Sequence, residues 1–175
     1  ARRDAILSHR ACAVEASAYI AALCALIPST SSREEAVMSA LEIIDKESDA
    51  YEAVQIGIKN KNKPASELHD HYGDMSPVHS LNNLAVVVWA FLSFQDSFDE
   101  AIGETICCGW DTDCTGATVG GLIGLDKGFI PESWTDPWNG RVLTTIAGVG
   151  EQDLDHLVSR TCLLVDKFSP SSDLS

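Results

Sequence analysis

Basic residues, prolines and metal-type cysteine pairs are all scarce in this chain, and each shortage removes a class of protein. The 175 residues carry 12 Lys and Arg against 26 Asp and Glu, a formal net charge of -14. Contact with nucleic-acid phosphates calls for a basic surface, so no direct phosphate binding of that kind is expected. The six cysteines, Cys12, Cys24, Cys107, Cys108, Cys114 and Cys162, form no CxxC pair, and no His stands at zinc spacing to them. Cys12 and Cys24 lie in Ala-rich helical sequence and read as free buried thiols, which fits a reducing, cytoplasmic setting. Arg2 and Arg3 precede an apolar stretch, but Cys12, Glu15 and Tyr19 interrupt it. The tripartite pattern of a signal peptide is therefore missing, and no run is expected to reach the roughly 18 residues of a membrane span. No membrane partner is expected. Internal repeats, low-complexity linkers and Asp-Asp pairs are absent as well.

What is present is ordinary for a globular chain: 45% apolar and 22% charged residues. The length predicts one domain able to bury a core without staples. Periodicity points to helices almost throughout. Asp4 to Ile27 reads as one buried helix, with Ile6, Cys12, Ala13, Ala16, Ile20, Leu23 and Ile27 on its apolar positions and Pro28 as its stop. Ser32 with Glu35 forms a capping box, followed by the apolar face Ala36, Val37, Ala40, Leu41 and Ile44. Ser48 to Lys59 predicts a helix with Tyr51, Val54 and Ile58 inward. Asn60 to Ser80 reads as a loop with one helical turn near Ser66 to His71, and His69 and His71 as surface residues. Leu81 to Phe94 is long enough to favour a central helix over a strand, despite Val86-Val87-Val88. His79 reads as a capping or packing residue, and Asn82 and Asn83 as a helix start. Ser97 with Glu100 opens a helix to about Cys108, and Asp113 to Lys127 opens another, closed by Gly128. Phe129 to Gly150 is turn-rich. Asp153 to Lys167 predicts a last helix, and residues 169–175 a frayed tail. The fold class is all-α, with residues 1–168 as its helical body.

Chemistry concentrates at Gly109-Trp110-Asp111-Thr112-Asp113-Cys114-Thr115-Gly116. Asp111 and Asp113 at i and i+2 would diverge by roughly 200° in a continuous helix, but converge if a loop enters a helix there. Two carboxylates with nearby hydroxyls suit a hard divalent cation; the same residues also suit plain N-capping. Gly116, Gly120, Gly121 and Gly124 predict close approach of another element or a ligand to the helix that follows. Thr112, Thr115 and Thr118 either offer hydroxyls to such a site or pack at the helix start. Trp110 either lines a cleft or packs in the core.

The run GWDTDCTGATVGGLIG, Gly109 to Gly124, resembles the C-terminal signature of the ADP-ribosylglycohydrolase family. Ser8-His9 before an Ala-rich helix is similar to that family's Thr/Ser-His segment. Val78-His79-Ser80-Leu81-Asn82-Asn83, Asp99-Glu100-Ala101-Ile102, Ile130-Pro131-Glu132-Ser133-Trp134 and Asn139-Gly140-Arg141-Val142 extend the resemblance, the last two toward bacterial-type members. It implies an all-α fold and a binuclear magnesium or manganese site. The implied reaction is hydrolysis of the glycosidic bond between ADP-ribose and an acceptor such as arginine or serine. It places metal ligands and the catalytic centre at Asp111 and Asp113, a third ligand position at Cys114, and substrate-binding positions at His9 and Trp110. The family's N-terminal Thr/Ser-Asp-Asp motif has no counterpart, so the chain matches the C-terminal portion of a member. A companion N-terminal chain or a homodimer would then complete the site. Thiol sulfur at Cys114 is a poor match for magnesium. Two other readings remain: a module that holds ADP-ribose without cleaving it, and an interaction protein that reuses the fold.

Overall fold

A computed structural model describes residues 1–168. In chain order the helices are α1 (Arg2–Ala5), α2 (Cys12–Leu26), α3 (Arg33–Ala40), α4 (Asp49–Lys59), α5 (Ser66–Tyr72), α6 (Ser80–Ser93), α7 (Phe98–Cys107), α8 (Thr112–Lys127), α9 (Glu132–Thr135) and α10 (Leu154–Phe168). One antiparallel hairpin, β1 (Arg141–Leu143) with β2 (Glu151–Asp153), is the sole sheet among the described residues. The fold is all-α, as the periodicity predicts. The chain divides into two compact units, Ala1–Phe129 and Ile130–Ser175. The expected frayed tail lies outside the described residues.

In the first unit, α6 is the axis. Eleven of its fourteen residues are buried, from Leu81 to Leu92 with only Asn83 half-buried between them. An apolar sequence this continuous has no solvent face, so other helices must surround it; α4, α7, α8 and α2 do so. Its start is capped by His79, whose Nδ1 accepts from the Leu81 amide at 3.2 Å. Trp89 is fully buried and satisfies its indole N–H on the Lys63 carbonyl at 3.0 Å. α4 approaches α6 closely at Gly57, where a Cβ would stand 2.8 Å from both the Ala85 carbonyl oxygen and Val88 Cβ.

Both predicted serine N-caps form, without the full reciprocal capping box. Ser32 accepts from the Glu35 amide at 3.1 Å, and Ser97 accepts from the Glu100 amide at 3.1 Å. Glu35 returns its carboxylate to the Ser31 amide, one residue before the cap. The predicted apolar face of α3 is buried as read. Behind it sits a feature that sequence reading missed. Arg33 is buried, donates from Nε to Asp126 on α8 at 2.8 Å, and donates from Nη1 to the Phe91 and Phe94 carbonyls. Its guanidinium also lies over the Phe91 ring, 4.7 Å from the centroid.

Several expectations need correction. The helix predicted from Asp4 to Ile27 is broken: residues 6–11 are not helical, and Ala11 takes φ 46° just before α2. Nor is α2 a buried helix. Only Ala16, Ala18, Tyr19 and Leu23 are buried, Ile6 is exposed, and the small alanines leave much of the surface open. The span Cys12–Ser29 is helical, has mean hydropathy 1.6, and is long and apolar enough to cross a membrane by length and composition, contrary to the sequence expectation; 28% of it is buried. Cys and Tyr do not break an apolar run as Glu15 does, and one charge in eighteen residues leaves the mean high. On α4 the inward positions are Ala50, Ala53, Val54 and Gly57, while Tyr51 and Ile58 are half-buried. Small residues face α6 because the axes approach so closely. The cysteines are free, but only Cys108 is buried; Cys12 is half-buried and Cys24 exposed.

In the second unit, α9 leads through a 3-10 turn at Asp136–Trp138 to Asn139 and Gly140, both at positive φ, and then into the hairpin. The turn-rich reading of Phe129 to Gly150 thus contains a short strand. The Leu154 amide donates to the Gly140 carbonyl at 2.9 Å, tying the start of α10 to the hairpin. On α10, Val158, Leu163 and Leu164 are exposed.

Candidate metal centre and adjoining groove

The acidic turn joins α7 to α8. Gly109 at φ 80° and Trp110 at φ 59° reverse the chain, and Asp111 takes the N-cap position of α8. Left-handed backbone suits Gly109; at Trp110 it is strained by on the order of 1–3 kcal/mol, so surrounding contacts must hold it. They come from α5. His69 stacks on Trp110 with ring centroids 4.0 Å apart and planes at 22°, and its Nε2 lies 2.8 Å from the Cys108 carbonyl oxygen. A carbonyl can only accept, so Nε2 carries the proton. His69 is exposed, as the sequence reading has it, yet it is engaged on both sides of this turn.

Asp111 does not behave as a cap. Its side chain makes no capping hydrogen bond. Only its main-chain carbonyl joins the helix start, accepting from the Thr115 amide at 3.0 Å and from Thr115 Oγ1 at 2.8 Å. Ligand atoms of Asp111, Asp113 and Cys114 all lie within 4.8 Å of one another, the one such group of three found among the described residues. The exposed Cys114 thiol is raised above its ordinary pKa, chiefly because it donates to Asp111, then by the charge of that carboxylate. It therefore sits there protonated, as a donor.

Two carboxylates held this close are mutually repulsive unless a cation stands between them, and oxygen donors match a hard divalent ion. The donor set thus fits the divalent cation that the sequence resemblance implies, through Asp111 and Asp113. The protonated sulfur is the weakest of the three donors.

Beside this cluster lies a cavity of about 410 Å³ between α2, α6 and α8. Ala13, Ala16, Ile20, Leu84 and Val87 make its walls, and His9, Asn83 and Cys114 are among its polar lining. His9 Nδ1 is 2.7 Å from Ser8 Oγ, which leaves Nε2 for a ligand. His9 and Cys114, 105 positions apart, thus share one groove. Trp110 does not line it; it is half-buried, packed on the core edge and against His69. Thr115 and Thr118 line the groove but give their hydroxyl protons to the Asp111 and Cys114 carbonyls, as helix-start packing predicts. Asn83 donates from Nδ2 to the Pro77 carbonyl, while its buried Oδ1 has no partner. No local sequence signal marks His69 as part of this neighbourhood; Asn83 falls in a family-like segment, but its place at the groove depends on helix packing.

The glycines of α8 split by face. A Cβ at Gly120 would meet Ile102 Cδ1 at 3.3 Å and one at Gly116 would meet Ile106, so α7 is the element that packs there. At Gly121 nothing lies within 4 Å.

The all-α body thus carries paired carboxylates at a helix start beside an apolar groove. The family profile for ADP-ribosylglycohydrolase matches residues 1–167, and the chain belongs to that family. No curated protein and no solved structure matches it.

Proposed function

We propose that this chain is a divalent-metal-dependent hydrolase of the bond between ADP-ribose and an acceptor, and that it supplies one part of the site. The observation that carries this reading is the convergence of Asp111, Asp113 and Cys114 at the edge of the groove that also holds His9. Asp111 and Asp113 hold the cation; magnesium or manganese suits their oxygens. When bound, such a cation supplies stabilisation of developing negative charge and orients oxygen ligands. Cys114 fixes the Asp111 carboxylate by donating to it. His9 contacts the substrate, and the aliphatic groove walls limit water. Cleavage then proceeds through an oxocarbenium-like state, as in other glycoside hydrolyses.

Magnesium takes roughly six oxygens, and the cluster offers two carboxylates and a thiol. The remaining places go to water, to substrate, and to carboxylates of a companion segment or second copy. The same shortage favours a second reading, in which the chain by itself holds ADP-ribose without turning it over.

Titration calorimetry with magnesium and manganese tests the metal assignment. Asp111→Ala and Asp113→Ala are each expected to weaken binding at least tenfold, and unchanged affinity in both removes the assignment. Incubation with arginine- and serine-ADP-ribosylated peptides separates the two readings. Little release of ADP-ribose by the chain alone, together with measurable ADP-ribose binding, is the expected result; rapid release shows that these residues suffice.

A further inference from the structure

We propose that His69 is a positioning residue for the acidic turn, setting where Asp111 and Asp113 stand and thereby how tightly a divalent cation is held. The proposal rests on the metal reading of that turn.

Three observations converge on it. The turn is strained at its centre, since Trp110 takes φ 59°, a region few large side chains enter unless neighbours hold them. The helix it opens has no side-chain cap, so Asp111 does not lock the start of α8 in the usual way. Finally, one side chain from a distant element grips the turn at two successive points. His69 Nε2 donates to the Cys108 carbonyl at 2.8 Å, at the end of α7, and the His69 ring covers Trp110 at 4.0 Å. The first contact satisfies a carbonyl that a helix end would otherwise leave open. The second resists rotation of the Trp110 backbone out of its left-handed conformation. Asp111 follows Trp110 directly, so any change in φ or ψ at Trp110 swings its carboxylate.

The sequence around His69 fits such a role. The first and last turns of α5 carry Leu68 and Tyr72 into the core, which fixes the helix, while His69 itself remains on the surface. Removing an exposed ring leaves that anchoring intact. A supporting contact of this sort around metal ligands governs affinity: loss of one costs roughly 10–100-fold. Imidazole joins a flat ring to an N–H donor on one short stem, so a single side chain meets both points.

The test compares the wild type with His69→Ala, His69→Gln, which keeps a donor, and His69→Phe, which keeps the stack. Manganese affinity is read by electron paramagnetic resonance. Hydrogen exchange at the amides of residues 109–113 is read without metal. His69→Ala is expected to bind manganese roughly tenfold or more weakly and to exchange faster at those amides, with its thermal midpoint near that of the wild type. His69→Gln and His69→Phe are each expected to recover part of both effects. Unchanged affinity and unchanged exchange in His69→Ala overturn the proposal, and so does an affinity loss without a local change in exchange. If the wild type binds no manganese, the metal reading fails; exchange at 109–113 then decides alone whether His69 holds the turn.

Discussion

Residue chemistry separates the cysteines of this chain into distinct kinds. Cys108 is 2% exposed, and burial, followed by the charge of Glu104, pushes its thiol up to about 11. Its thiolate is therefore disfavoured in the folded state. The resulting stability is complete below about pH 9, the ordinary thiol value, and is lost as pH rises through about 11. Native-state alkylation with iodoacetamide near pH 8 is expected to label Cys24, Cys107 and Cys114 while sparing Cys108; peptide mass spectrometry reads this, and labelling of Cys108 should appear only after denaturation. Tyr72 behaves in parallel. Burial, with Glu52 and Asp49 nearby, pushes its phenol up to about 12, so spectroscopic titration should show its ionisation delayed past that of exposed tyrosines. At Asp111 the residue type was legible in the sequence, but its role was not. Capping and metal holding demand the same side chain. The absent capping bond argues against plain capping, and the proximity of Asp113 supports the proposed cation role.

Among the elements, most helix starts after the broken N-terminal one were readable because their causes are local. Ser32, Ser48 and Ser97 each accept from an amide three residues on, and Gly128 ends α8 at φ 74°. Which face turns inward was less readable on α4, where the close approach to α6 favours small residues over Tyr51 and Ile58. Gly57→Val is expected to lose roughly 1–3 kcal/mol in urea unfolding, because its side chain meets backbone that cannot withdraw. The Arg33–Asp126 pair ties α3 to α8, with side chains 3% and 26% exposed. Asp126→Ala leaves Arg33 buried beside carbonyls alone. The expected loss is about 3 kcal/mol, the low end for breaking a buried pair because Asp126 is partly open to water. Thermal melts of Asp126→Ala and Asp126→Asn check this.

At the scale of the molecule, every buried apolar residue among the described ones lies between Ala5 and Ile123, within the first unit. A chain ended at Phe129 is therefore expected to retain one cooperative thermal transition and most of its helical circular dichroism. A molten, non-cooperative response would show that residues 130–175 are needed for packing. The groove and the acidic turn also lie within residues 1–129, so the shortened chain should bind manganese as the full one does.

By itself the sequence determined the helical class, the central apolar helix, the caps, the acidic turn and the family. Each depends on short-range pattern or on motif, and both survive without knowledge of what packs where. Tertiary structure alone decided that His9 shares a groove with Cys114, that His69 grips Trp110, that Arg33 meets Asp126, and that α2 keeps much of its apolar surface open. These pairs stand from 41 to 105 positions apart in the chain. Their meeting is set by the crossing of helices around α6, a balance of side-chain volumes over the whole core that no local spacing records.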